Sequence, residues 1–119
     1  MIEKFLKGKL ALITGASRGL GREMAVSLGD NGASIALVGR SEEKLKETQE
    51  LIKERNIKSE IFVADISLES EVLNLKREVN AKMGDPDILI NNAGTAIRKN
   101  VVEFGLNEWQ NVINTNLTS

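Results

Sequence analysis

The chain reads as an α/β fold, a doubly wound parallel sheet with helices on both faces. Three observations predict it. Short apolar runs of strand length alternate with segments of helical period in the order βαβαβαβα. The apolar runs are continuous, as in strands buried on both faces, where a sheet with one wet face would show alternation. The first run also breaks directly into glycines and then a helix, at Thr14-Gly15-Ala16-Ser17-Arg18-Gly19-Leu20-Gly21. In this architecture the usual strand order is 3-2-1-4.

The first strand is placed at 10–14, and a helix begins near Leu20 with Leu20, Met24 and Leu28 on one face. Strands two and three are placed at 35–38 and 61–64, with a helical segment between them. The third helix carries Leu68, Val72, Leu75 and Val79 at helical spacing. It stops at Gly84-Asp85-Pro86-Asp87, because glycine suits the C-terminal cap and the sole proline cannot continue the ladder. The fourth strand follows at 88–91. A last helical pattern puts Trp109, Val112, Ile113 and Leu117 on one face and runs to Ser119.

Composition narrows the chemistry. At 119 residues and 41% apolar content the chain is one small globular domain, spanning 1–119 without an internal linker. Its 16 basic and 17 acidic residues are interspersed, so no basic stripe marks a nucleic-acid surface. Cysteine and histidine are both absent, which removes disulfides, thiolate chemistry, the Ser-His-Asp relay and ordinary zinc sites. The N-terminus MIEKFLKGK has no apolar stretch of signal-peptide length, and no run approaches the roughly 20 residues of a membrane helix. A cytoplasmic protein without membrane partners is expected, and the acceptor pattern at Asn116 is read as coincidence.

A strand that opens into glycines and then a helix is suited to hold phosphate. Glycines let the backbone turn tightly and approach a pyrophosphate, while the helix directs its unpaired N–H groups and positive dipole end at the anion. Gly15, Gly19 and Gly21 give G-x-x-x-G-x-G, and no Lys-Ser or Lys-Thr follows, so a P-loop is excluded. The plainer alternative is a tight turn without a ligand. Asn91-Asn92-Ala93-Gly94 ends the fourth strand, which neighbours the first in the expected order, so both loops face the crevice where the chain changes direction.

Four motifs in order, TGASRGLG, the strand-end Asp65, NNAG and EWQNVINTNL, resemble the classical short-chain dehydrogenase/reductase family, over essentially the whole chain. Within it, IRKNVVEF and WQNVINTNLTS are similar to gluconate 5-dehydrogenase-like members, and TGASRGLG to 3-oxoacyl-carrier-protein reductase-like ones. The resemblance implies a Rossmann-type dinucleotide-binding domain, N-terminal half only. It assigns Gly15, Ala16, Ser17, Arg18, Gly19, Leu20 and Gly21 to the cofactor's phosphates. It gives the Asp65 carboxylate to the adenine amino group with the Ile66 backbone beside it; Asn92 is expected to fix the strand and hold the adenosine side, and Ala93 and Gly94 to allow close backbone approach to the cofactor. For Asp65 the local alternative is a turn closed with Ser67 that starts the third helix at Leu68.

The second strand ends in Gly39-Arg40-Ser41, with no acid between Ser34 and Ser41 to accept from an adenosine ribose. Arg40 can instead pair with the 2′-phosphate of NADP, with Arg18 reaching it from the other side, so NADP(H) is expected over NAD(H). Both arginines could also be ordinary solvated charges. Asn116 shares the apolar stripe of the last helical pattern, and a buried amide needs a partner, structural or functional. The resemblance gives it a catalytic role, its backbone carbonyl holding a water of the proton relay.

In complete family members a tyrosine exchanges the substrate oxygen's proton, assisted by a lysine four residues later and by a serine. This chain contains no tyrosine. It is expected to bind cofactor without catalysing, as part of a protein that moves hydride between NADP(H) and a small ketone or secondary alcohol. A non-catalytic nucleotide-binding or structural short protein is the alternative. The helical pattern running to Ser119 is read as a cut before a fifth strand, leaving the fourth with an open, self-associating edge. A homotetramer is what the resemblance implies for the parent protein.

Overall fold

The computed structural model describes residues 5–17 and 19–92, and the backbone of 113–116. The element order is β1 (Leu10–Thr14), α1 (Gly19–Asp30), β2 (Ser34–Gly39), α2 (Glu42–Lys53), β3 (Ser59–Val63), α3 (Glu69–Lys82), β4 (Ile88–Asn91) and β5 (Ile113–Asn116). All pairings are parallel, in the order β3-β2-β1-β4-β5. Strands 3-2-1-4 are thus arranged as the sequence predicts. Every residue of β1 is buried, because it lies mid-sheet with layers on both sides.

Alternation along the strands splits the core into two faces. Leu10 and Leu12 of β1 join Ala36, Val38 and Phe62 beneath Val72, Leu75 and Val79 of α3. Ala11 and Ile13 face the other way, with Ile35, Leu37, Ala25 of α1, and Leu45 and Ile52 of α2. The first two crossovers therefore cover one face and the third covers the other. At the sheet's entry edge, Leu10 N–H donates to Asp87 Oδ2 at 2.9 Å and Asp87 N–H to Leu10 O at 2.8 Å, which sets β4 against β1. Gly84, at φ 101°, turns the chain out of α3, its N–H donating to Val79 O at 3.1 Å.

Three expectations need correction. In α1 the fully buried residues are Gly21, Ala25 and Gly29, whereas Leu20 is 46% exposed and Met24 and Leu28 are only partly buried. Small residues take the buried line because neighbouring loops press on it: a Cβ on Gly29 would stand 2.5 Å from Ile57 Cδ1 in the α2–β3 connection, and one on Gly21 would meet the loop after β1. Second, α3 begins at Glu69, and its N-cap Leu68 has no side-chain cap bond. Third, 113–116 form β5 beside β4, where the apolar spacing predicts a helix. Backbone pairing decides this segment. The free N–H and C=O groups of β4 offer a ladder, and Ile113 and Thr115 are β-branched. The expected open edge of β4 is accordingly occupied. The remainder of the predicted last helix, with Trp109, Val112 and Leu117, lies outside the described residues.

Candidate functional site

Parallel strands end on one side of the sheet, and hydrogen bonds join four of those ends into a rim. Ala16 N–H donates to Val38 O at 3.1 Å, tying the loop after β1 to β2. Ala64 N–H donates to Gly39 O at 2.9 Å, tying β3 to β2. Asn92 N–H donates to Thr14 Oγ1 at 3.0 Å, and its Nδ2 to Gly15 O at 3.2 Å, tying β4 to β1. The two glycine-bearing motifs, 77 residues apart at this contact, are thereby locked together.

Within the loop, Gly15 and Gly19 take φ of 64° and 58°, the left-handed region that disfavours side chains. Their surroundings differ. A Cβ at Gly15 would lie 3.3 Å from Asn92 Nδ2 and O, whereas at Gly19 no atom of the described residues beyond its chain neighbours stands within 4 Å. Among the described residues the Gly19 side is open. Gly21 is tighter still, since its Cβ would meet Gly15 O at 2.1 Å and Asn92 Nδ2 at 2.8 Å. The missing side chain lets the first turn of α1 touch the loop. That turn contains no acidic residue, whereas α2 opens with Glu42 and Glu43 and α3 with Glu69 and Glu71. The positive end of α1 is left uncompensated by its own carboxylates and faces the open side.

Ala16 is buried, and its N–H is committed to β2. Its carbonyl is held from behind by Thr48 of α2, whose Oγ1 donates to Ala16 O at 2.9 Å and lies 3.2 Å from Ser17 O. Arg22 completes this layer. Its Nε donates to Thr48 Oγ1 at 2.9 Å and its Nη2 to Ser17 O at 2.6 Å, with Glu47 Oε1 3.7 Å away. Neither Thr48 nor Arg22 stands out in the motifs. A signal existed, because Thr48 is a hydroxyl on the stripe of Leu45 and Ile52, the kind of misplaced polar group that singles out Asn116.

At the other end of the rim, Arg40 is exposed and Ser41 caps α2, its Oγ accepting from Lys44 N–H at 3.3 Å. Asp65 Oδ1 accepts from Ser67 N–H at 3.1 Å and Ser67 Oγ–H at 2.6 Å, and Asp65 N–H donates to Glu71 Oε1 at 2.5 Å. The turn expected between Asp65 and Ser67 is present, although it precedes α3 without capping it. Ile66 is buried in the α3-side core. Beside Thr14, Asn91 is buried, its Oδ1 3.4 Å from Thr14 Oγ1 and its Nδ2 unpartnered among the described residues. Asn116 is the register partner of Asn91 in β5. Arg18, Ala93 and Gly94 lie outside the described residues.

The Ser67 hydroxyl and then its N–H hold the Asp65 carboxyl below its ordinary value; burial opposes them and the Arg40 charge assists. A depressed folded-state pKa supplies stability above the unfolded value, and that stability is lost as pH falls through the folded pKa. Asp65→Asn should therefore be less stable than the parent at neutral pH, with the gap closing below about pH 4. Urea midpoints measured from pH 7 to pH 2 check this; a gap constant with pH would refute it.

The fold and rim are those of a doubly wound parallel α/β domain with a glycine loop where the winding reverses, and comparison with known proteins places the chain in a family. A family model described as short chain dehydrogenase matches residues 9–119, and the chain belongs to that family. It is 36% identical over 114 residues to gluconate 5-dehydrogenase of Gluconobacter oxydans, covering 96% of this chain and 44% of that protein. A 3-oxoacyl-(acyl-carrier-protein) reductase of Pseudomonas aeruginosa is 35% identical over 114 residues, covering 96% and 46%. Among solved structures, L-sorbose reductase from Gluconobacter frateurii with NADPH and L-sorbose aligns at TM-score 0.73 and 34% identity, covering 79% of this chain and 36% of that one. NAD+-bound xylitol dehydrogenase aligns at 0.74 and 32%, covering 77% and 35%. The chain spans less than half the length of the curated relatives it matches. Among the described residues, no helix is long and apolar enough to cross a membrane, and no acidic group could hold a metal ion.

Proposed function

We propose that this chain is the cofactor-binding part, residues 1–119, of an NADP(H)-dependent reductase that acts on a ketone or secondary alcohol of the 3-oxoacyl or sugar-acid type. Binding is assigned to the loop from Gly15 to Gly21, with the pyrophosphate on the open side of Gly19 at the start of α1. The adenosine lies along the ends of β2, β3 and β4, beside Arg40, Ser41, Asp65, Ile66, Asn92, Ala93 and Gly94. Bound there, the cofactor supplies the hydride. Without a tyrosine the chain by itself binds and does not turn over, and Asn116 belongs to the proton relay of the whole protein. That whole protein is read as a cytoplasmic homotetramer.

The observation that carries the NADP(H) preference is Arg40. It is exposed one residue beyond β2, close enough to act on the Asp65 carboxylate, in a stretch from Ser34 to Ser41 that contains no acid. A guanidinium pairs with a phosphate dianion, whereas the NAD ribose is ordinarily held by a carboxylate at this position. Calorimetric titration with NADP+ and NAD+ tests it. NADP+ should bind at least about 10-fold more tightly, and Arg40→Asp should shift the ratio toward NAD+ by roughly 10- to 100-fold. An unchanged ratio would refute the assignment.

A further inference from the structure

Two carbonyls of the glycine loop, those of Ala16 and Ser17, are drawn toward α2 by the side chains of Thr48 and Arg22. Thr48 is fully buried, its single hydroxyl proton directed at Ala16 O with Ser17 O also in range, while its lone pairs accept from Arg22 Nε. Arg22 Nη2 takes Ser17 O at 2.6 Å. A peptide plane carries its C=O and the following N–H on opposite sides. Holding Ala16 O against α2 therefore turns Ser17 N–H away from α2. Ala16 N–H, already spent on Val38 O, cannot compete for that direction.

We propose that Thr48 and Arg22 form a clamp that preorganises the glycine loop for the cofactor pyrophosphate, making them positioning residues for dinucleotide affinity. This rests on the assignment of the loop to the cofactor. Without the hydroxyl, Arg22 Nε and Ala16 O lose a shared buried partner, and the loop gains orientations in which its donors no longer converge; binding must then supply that ordering. The clamp acts on the loop that carries the pyrophosphate donors and makes no contact with Arg40, the main partner assigned to the 2′-phosphate, which lies beyond β2. Its effect should therefore depend on which part of the ligand is present.

The experiment compares NADP+, which carries the pyrophosphate, with adenosine 2′-monophosphate, which lacks it, by calorimetric titration of the 119-residue chain. Thr48→Val should weaken NADP+ binding roughly 10-fold while leaving adenosine 2′-monophosphate within about twofold, and Thr48→Ser should restore the parent affinity. Should Thr48→Val fail to fold, Arg22→Met, at a half-exposed position, carries the same comparison. Equal losses for both ligands, or no loss for NADP+, would overturn the clamp while leaving the cofactor assignment intact. A parent chain that binds neither ligand would overturn that assignment and the clamp with it.

Discussion

Gly21→Val should abolish detectable dinucleotide binding and destabilise the chain by about 3 kcal/mol or more, a magnitude typical of overpacking against atoms that cannot yield. Even the first added carbon would stand 2.1 Å from Gly15 O and 2.8 Å from Asn92 Nδ2. Two of the three obstructing atoms are backbone of the loop itself, so relief requires moving α1 or opening the Gly15 turn. Opening the turn breaks the bond from Asn92 Nδ2 to Gly15 O, and moving α1 withdraws its first turn from the loop. Gly19→Ala is the informative companion. Among the described residues nothing beyond its chain neighbours stands within 4 Å of its Cβ, so its stability cost should be confined to the left-handed backbone, roughly 1 kcal/mol. Its binding loss should be large, because the added methyl fills the open side. Urea denaturation and titration of the two variants check both statements; similar stability losses would show that the crowding at Gly21 is relieved more easily than the geometry allows.

The second large effect comes from β1. Leu12 and Ile13 are 1% and 0% exposed, adjacent in sequence, and belong to separate cores on opposite faces of the sheet. Leu12→Ala and Ile13→Ala should each cost about 2–5 kcal/mol, the first loosening the α3 layer and the second the α1–α2 layer. Because the two side chains belong to separate cores, the double variant should lose both contributions. That total is comparable to the whole stability of a small domain, so the double variant is expected to be unfolded at room temperature. Denaturant unfolding of the two single variants, with circular dichroism of the double one, provides the test. A folded double variant would mean that β1 shifts to collapse one cavity into the other.

What was legible in the sequence follows from short-range physics. Strands β1 and β4 begin and end where their apolar runs do, because a strand buried on both faces must be apolar throughout and stops where a turn residue enters. The glycine loop, the Gly84 exit from α3 and the Asp65–Ser67 turn were also readable, since each depends on local backbone preference. The buried face of α1 was not. Periodicity favours the large residues Leu20, Met24 and Leu28, yet close approach of the loop after β1 and of Ile57 leaves room only for Gly21 and Gly29 on the buried line, with Ala25 between them. No local rule carries those contacts.

The sequence by itself thus determined the order of elements through β4 and the class of fold. Tertiary structure alone decided three things. It placed 113–116 as a strand, because the edge of β4 presents N–H and C=O groups that a strand can pair and a helix cannot. It joined Asn92 to Gly15 across 77 residues, because strands far apart in the chain become neighbours where the winding reverses. It also set Thr48 and Arg22 behind the loop, since the partner of a buried hydroxyl is fixed by which helix packs against which turn.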